Sequence, residues 1–256
     1  MFKVFLNSFF IQSAWSFEKM QGLGFASAIA PAIKDIYKDK NQACAALKRH
    51  MVFYNAHPYM ASPILGAVIR MEEEVRDGRR AAGEVACFKE SLMGPYGAIG
   101  DTFFWASIRP AASVVGVLSA LVWGLWGPVV FLAAYNIFHI WMRWFGLHKG
   151  YKLGEDVVEY IKSMELPQRA LKVRIIAAGL LGVLVATLIF KIFKTGMFGA
   201  QPVQTSQLFL AAIFMATATM LLSILLRKGI AVSLAVYLLF LPTFVFLIVM
   251  DALKRI

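Results

Sequence analysis

Residues 110–142 form a run of 33 positions without a charged side chain, bounded by Arg109 and Arg143. Water-soluble folds do not tolerate such a stretch on their surface, and it exceeds the roughly 20 residues that one helix needs to cross a bilayer core. The Trp126-Gly127-Pro128 step near its middle supplies a natural break. The run therefore predicts a helical hairpin, with one arm over 101–125 and the other over 129–144. Three further apolar stretches, at 175–190, 207–226 and 229–250, repeat the pattern. The expected fold is all-α, a polytopic membrane protein with about five C-terminal crossing helices. The chain as a whole is 59% hydrophobic and 16% charged, against about 25% charged in an ordinary soluble domain.

Charge divides the chain in two. Ten of the 15 acidic and 13 of the 26 basic residues fall in 1–109, so 1–100 reads as an N-terminal region of amphipathic or re-entrant helices and 101–256 as the transmembrane region. The segment 143–174 carries seven basic residues, and Arg227-Lys228 adds two. Retention of basic loops places both in the cytoplasm, the first as a basic loop between helices. The same rule accounts for the net charge of +11. Nucleic acid is excluded as a partner, because no basic cluster is interleaved with aromatics on a soluble module. Cys44 and Cys87 are far apart and lack metal-ligand spacing, which predicts free thiols and no metal site. The first ten residues, MFKVFLNSFF, contain no small-residue cleavage site, so no removable signal peptide is expected.

Two local patterns bear on packing. Ala112, Gly116, Ala120 and Gly124 recur every four residues, leaving a groove in which a second helix backbone approaches closely. The run MEEEVRDGRRAAGE, at 71–84, mixes both signs of charge densely and reads as a solvated turn.

The stretch FFIQSAWSFEKMQGLG, at 9–24, sets polar groups into greasy sequence. On a helical wheel Asn7, Ser8, Gln12, Trp15, Glu18 and Lys19 share one arc, opposite Phe5, Phe9, Phe10, Phe17, Met20 and Leu23. Two placements satisfy the pattern: a helix lying in the headgroup region, or an inserted helix aiming its polar arc into a protein cavity, where ionisable groups normally face a substrate path. Gln12, Trp15, Glu18 and Gln21 are spaced three apart and would be neighbours on a helix surface. Amides and a carboxylate exchange hydrogen bonds with hydroxyls, and an indole lies against the C–H face of a sugar ring. Further along, Asn55 and His57 either contact a ligand or close a turn before Pro58. Asp101 follows Gly94, Gly97 and Gly100 and is either a ligand contact or the N-cap of a long helix. Neither a nucleophile with an orienting base nor paired carboxylates stand out for catalysis.

QSAWSFEKMQGLGF, LKRHMVFYNAHPY followed by ILG and MEEE, LMGPYGAIGDTFFW and GYKLG together resemble, in order and spacing, the IID component of the mannose-type phosphotransferase system. The likeness covers roughly 5–155, and beyond it only hydrophobicity matches. Tyr54-Asn55-Ala56 stands where the family usually has Phe-Asn-Thr. The resemblance implies a multi-pass subunit of the bacterial cytoplasmic membrane that pairs with a IIC subunit, several such pairs forming an oligomer. It implies that sugar is held between the two subunits and phosphorylated in the cytoplasm by a separate IIB protein fed by IIA. IID would then carry no catalytic residue, cofactor or metal. Carried onto this sequence, Gln12, Trp15, Glu18 and Gln21 match the first motif, Asn55 and His57 the second, and Asp101 the third, as candidate sugar contacts. A membrane scaffold of the same family without transport activity is the alternative.

Overall fold

The chain begins with two antiparallel helices, α1 (Phe2–Ser8) and α2 (Gly22–Ile36), in a computed structural model that describes residues 1–195. Their register follows from three contacts. Asn7 Nδ2 donates to the Ser27 carbonyl, Gly24 lies against the Ile11 backbone, and Lys3 shares a groove with Pro31. Proline explains the first of these. Pro31 has no N–H for the carbonyl four residues earlier, so Ser27 O is released from the helix ladder and accepts from Asn7 instead.

Three more helices complete the N-terminal part: α3 (Lys40–His50), α4 (Ala61–Arg76) and α5 (Ala82–Gly100). The Asp39 side chain caps α3 by accepting from Gln42 N at 3.0 Å, and the Glu84 side chain accepts from Ala81 N to start α5. Helix α5 does not end at Gly100. It continues through a π-helical segment, Asp101–Ile108, into α6 (Arg109–Trp123), a continuous stretch of 42 residues. At about 1.5 Å per residue this is about 63 Å, twice the thickness of a bilayer core. Ala82–Trp123 is the one stretch among the described residues that is long and apolar enough to cross a membrane. The expected start at 101 is therefore corrected, and with it the N-cap reading of Asp101, which sits inside the helix.

The chain turns at Gly124, whose φ of +58° favours glycine, two residues before the break read at Trp126–Pro128. Helix α7 (Trp126–Leu153) returns along α6. The small-residue stripe makes this contact. A Cβ at Gly116 would strike Phe131, one at Gly127 would strike Ala120, and Ala112 is buried. The fourth member, Gly124, serves the turn instead. On its other flank α7 packs against α4 through Pro63, Gly66, Gly146 and Gly150, where an added methyl at any of the three glycines would meet Pro63 or backbone of the facing helix. Close backbone approach of this kind gains dispersion that bulkier side chains would forbid.

The segment expected as a basic loop at 143–174 is largely helical. After α7 come a 3-10 turn (Gly154–Asp156), α8 (Val157–Ser163) and α9 (Leu166–Thr195). Helix α9 covers the apolar stretch at 175–190, while 207–226 and 229–250 lie outside the described residues. Arg143, expected in cytoplasmic water, is 4% exposed.

The acidic run at 71–84 is corrected as well. Helix α4 continues to Arg76, and Glu72 is completely buried. Its carboxylate accepts from Arg49 through two hydrogen bonds of 2.7 Å, from the Tyr37 hydroxyl at 2.8 Å, and pairs with His50 Nε2 at 2.9 Å. Burial pushes the Glu72 carboxyl up, but the hydrogen bonds from Arg49 and His50 outweigh it and hold it at about 2. Burial and the adjacent Glu72 raise Tyr37 to about 12, and burial lowers His50 below its usual range. The cluster is thus an ion pair buttressed by two neutral donors, and it joins the end of α2, α3 and α4.

Candidate functional site

The expectation of one helix through 9–24 fails, and the failure builds the site. Ser8 and Ser13 hydroxyls donate to the carbonyls three residues back, and Phe9, Phe10, Ile11 and Ser13 amides form three-residue turns. Serine side chains that bond locally compete with the α-helical ladder. A tight reversal follows. Ser16 and Met20 exchange backbone hydrogen bonds of 3.1 and 2.8 Å, Ser16 Oγ accepts from Lys19 N, and Met20 adopts a φ of +49°. Gln12, Trp15, Glu18 and Gln21 therefore do not form a helical stripe.

The reversal docks beside the loop before α4. Gln21 N donates to Tyr54 O at 2.8 Å and Tyr54 N donates to Lys19 O at 3.3 Å. Such backbone approach needs small residues, and Gly22 supplies one, since a Cβ there would collide with the Val52 carbonyl. The Gln21 side chain, 3% exposed, is fixed by the Ala56 amide, which donates to its Oε1 at 3.4 Å.

His57 anchors the next corner. Its carbonyl accepts from Met60 and Ala61 amides, and its Nδ1 accepts from Tyr59 N at 3.3 Å, which starts α4. The ring stacks on Phe104 at 5.2 Å and meets Trp105 edge-on at 4.8 Å. It rests on the bare face of Gly100, where any side chain would overlap it. The glycines at three-residue spacing thus have different tasks: Gly100 admits the His57 ring, while Gly94 and Gly97 have nothing within 4 Å and leave space open.

That space is a cavity of about 470 Å³ lined by Gln12, Trp15, Gln21, Asn55, His57 and Asp101, with Trp105, Met93 and the two glycines. Six of the seven residues singled out from the sequence meet there, although they come from four different segments. Glu18 does not, because the Ser16–Met20 reversal leaves it exposed and off the cavity wall. The π-helical segment brings Asp101 and Trp105 to the same wall. Its wider winding is marked by Ser107 Oγ donating to Thr102 O, five residues back, at 2.7 Å.

Among the described residues Asp101 is the one lining residue with a formal charge, and neither lysine nor arginine of that set lines the cavity. The arrangement offers two free-standing amides, a carboxylate and two indoles, a set that exchanges hydrogen bonds with hydroxyl groups and stacks on C–H faces. A phosphate would find no cation there. Much of the lining, including Trp15 at 54%, is exposed, so the cavity is open on one side.

Three buried charges escaped the sequence reading. Glu72 is described above. Arg143 donates to the Ser8 carbonyl and hydroxyl and lies over the rings of Phe9 and Tyr59, tying α7 to the end of α1. Lys89 is fully buried on α5, 5.1 Å above the Phe25 ring and 5.9 Å above that of Tyr54, and its ammonium has no hydrogen-bond partner among the described residues. Each sits one helical turn or less from apolar residues, and that spacing is the only mark in sequence of an inward-facing charge.

Comparison with known proteins places this geometry among relatives. Residues 1–255 match the family model for the mannose/fructose/sorbose family IID component of the phosphotransferase system. The sorbose-specific EIID component of Lacticaseibacillus casei is 32% identical over 255 residues, covering 94% of this chain and 89% of that protein. The mannose-specific EIID component of Escherichia coli K12 is 37% identical over 158 residues, 61% of this chain but only 56% of that protein, so the match spans little more than half of the relative. Among solved structures, the cryo-EM structure of the mannose transporter ManYZ with microcin E492 is 29% identical, covers 98% of this chain and 94% of its own, and superposes with a TM-score of 0.58.

Proposed function

Since this chain belongs to the IID component family of the mannose/fructose/sorbose phosphotransferase system, we propose that it is the IID subunit of a sugar permease and holds one wall of the sugar path. The observation that carries this reading is the cavity at which Gln12, Trp15, Gln21, Asn55, His57 and Asp101 converge. Its volume falls in the range of small-ligand sites, roughly 300–1,000 Å³. Amides and a single carboxylate suit a neutral polyol, and the lack of a lining cation disfavours a sugar phosphate. The sugar is therefore taken up unphosphorylated, and phosphoryl transfer falls to a separate cytoplasmic IIB protein supplied by IIA. A IIC subunit closes the open side, and pairs of IIC and IID assemble further in the bacterial cytoplasmic membrane as a multi-pass complex. Movement of one subunit against the other exposes the cavity to each side in turn.

Equilibrium binding of mannose, fructose and sorbose to the co-purified IIC–IID pair tests the proposal. Asp101→Asn and Asn55→Ala each remove a hydrogen bond, and a bond to a charged group contributes about 1.5–3 kcal/mol. The Asp101 variant is expected to weaken binding at least about tenfold, while Glu18→Gln, off the cavity, leaves it unchanged. Unaltered affinity in both cavity variants overturns the site. Failure of the wild-type pair to bind or take up any of these sugars would favour the non-transporting scaffold.

A further inference from the structure

The two N-terminal helices, α1 and α2, form a second concave site that shares no lining residue with the cavity. It has a volume of about 440 Å³ and is lined by Lys3 and Asn7 of α1 and by Ser27, Pro31, Lys34 and Asp35 of α2. Neither lysine makes an ion pair within 4 Å among the described residues. Pro31 interrupts the α2 ladder, and Asn7 Nδ2 donates to the Ser27 carbonyl that it frees, so two of the lining residues are bonded to each other.

Helix α1 has three stripes. Val4 and Ser8 are buried. Lys3 and Asn7 line the groove. Phe2 and Leu6 form the third stripe, and Phe10, two residues past the helix end, follows them; the three are 60%, 45% and 65% exposed. Exposed apolar side chains directly beside a polar face that carries Lys3 mark a segment that lies in a membrane interface, with hydrocarbon on one flank and headgroups on the other. The antiparallel register puts Lys3 and Lys34 at the same end of the pair, next to the charged turn that carries Lys38, Asp39 and Lys40. Two cations and one acid give the groove a net charge of +1, which complements a phosphodiester.

We propose that this groove binds the headgroup of an anionic phospholipid, with Lys3 and Lys34 on the phosphate, Asp35 and Asn7 on headgroup hydroxyls, and the acyl chains along Phe2, Leu6 and Phe10. The site is distinct from the sugar cavity and does not depend on it.

Native mass spectrometry of the full chain in detergent, titrated with phosphatidylglycerol or phosphatidylcholine, tests it. A lysine near an anionic surface contributes about 1 kcal/mol, so two predict a preference of about thirtyfold for phosphatidylglycerol. Lys3→Gln with Lys34→Gln is expected to bring the two lipids within about threefold, while Lys38→Gln with Lys40→Gln retains the preference. Phosphatidylglycerol should also protect Lys3 and Lys34 of the unaltered chain from an amine-reactive label. Equal binding of both lipids, or a preference that survives the double substitution, overturns the proposal. Displacement of the lipid by millimolar inorganic phosphate would reassign the groove to a soluble anion. Protection of both lysines by the IIC subunit alone, in lipid-free detergent, would reassign it to a protein contact.

Discussion

Alanine placed singly at Gly94, Gly97 and Gly100 should change the protein in opposite directions, although all three glycines lie in one helix at one spacing. In a helix interior alanine is favoured over glycine by roughly 0.5–1 kcal/mol. At Gly94 and Gly97 a Cβ meets nothing within 4 Å, so that gain should appear in full as higher thermal stability. At Gly100 the Cβ would fall on Cβ and Cγ of His57. His57 has no room to retreat, since its ring is held by Phe104, Trp105 and Tyr59 and its carbonyl by two amides. Overpacking costs about 1–3 kcal/mol, and a clash this close to a backbone belongs at the upper end. Less the helix gain, about 2 kcal/mol of stability is lost. The assay is thermal unfolding of the IIC–IID pair beside sugar binding. Gly97→Ala, whose methyl enters the cavity, should be more stable and bind more weakly. Wild-type stability in Gly100→Ala, or destabilisation in Gly97→Ala, refutes the reasoning.

Other expectations concern the buried charges and the α4–α7 crossing. Hydrogen bonds from Arg49 and His50 hold the Glu72 carboxyl at about 2, well below its ordinary 4.5, so it contributes on the order of 3 kcal/mol of stability that is fully present above pH 4.5 and lost as pH falls towards 2. Glu72→Gln should flatten that acid limb of the unfolding midpoint against pH, and an unchanged limb would show that the carboxylate is not held as described. Lys89 gains at most about 2 kcal/mol from the rings beneath it, whereas an unpaired buried ion costs several. Lys89→Met should therefore match or exceed wild-type stability in thermal unfolding, and a marked loss would reveal a partner for the ammonium. Gly150→Val drives a branched side chain into the Pro63 backbone and should abolish correct docking of α4 on α7, read as loss of protease-resistant protein. Full resistance would contradict the close crossing.

What was legible in the sequence was mostly local or periodic. The charge-free run from 110 to 142 announces a hairpin because length and polarity alone decide it, and the Ala112, Gly116, Ala120 stripe announces its packing face because helical period maps sequence onto one side. The residues of the cavity are legible as members of motifs, but the helical spacing that makes neighbours of Gln12, Trp15, Glu18 and Gln21 is not what the structure has, and nothing local in sequence brings Asn55, His57 and Asp101 to them. Ser8, Ser13 and Ser16 bond to nearby backbone, and Met20 takes a positive φ, so Gln12 and Gln21 converge across a reversal rather than along a helix. Glu18 was lost for the same reason. Asp101 resembles an N-cap because a long apolar run follows it, but the preceding helix carries through. Arg143 and Glu72 were placed in water because charge usually is. Their burial depends on Ser8, Tyr59, Arg49 and Tyr37, partners that lie between 23 and 135 residues away or on other helices, and no local window contains them.

The central claim, that the cavity holds sugar, is tested most directly by thiol protection. Cys44 and Cys87 are free and exposed, so both are first replaced by serine, and single cysteines are then introduced as Gln12→Cys, Asn55→Cys and Glu18→Cys in the IIC–IID pair. Saturating sugar should slow labelling at positions 12 and 55 and leave position 18 unaffected. Equal labelling rates at positions 12 and 55 with and without a sugar that the pair demonstrably transports would contradict the account.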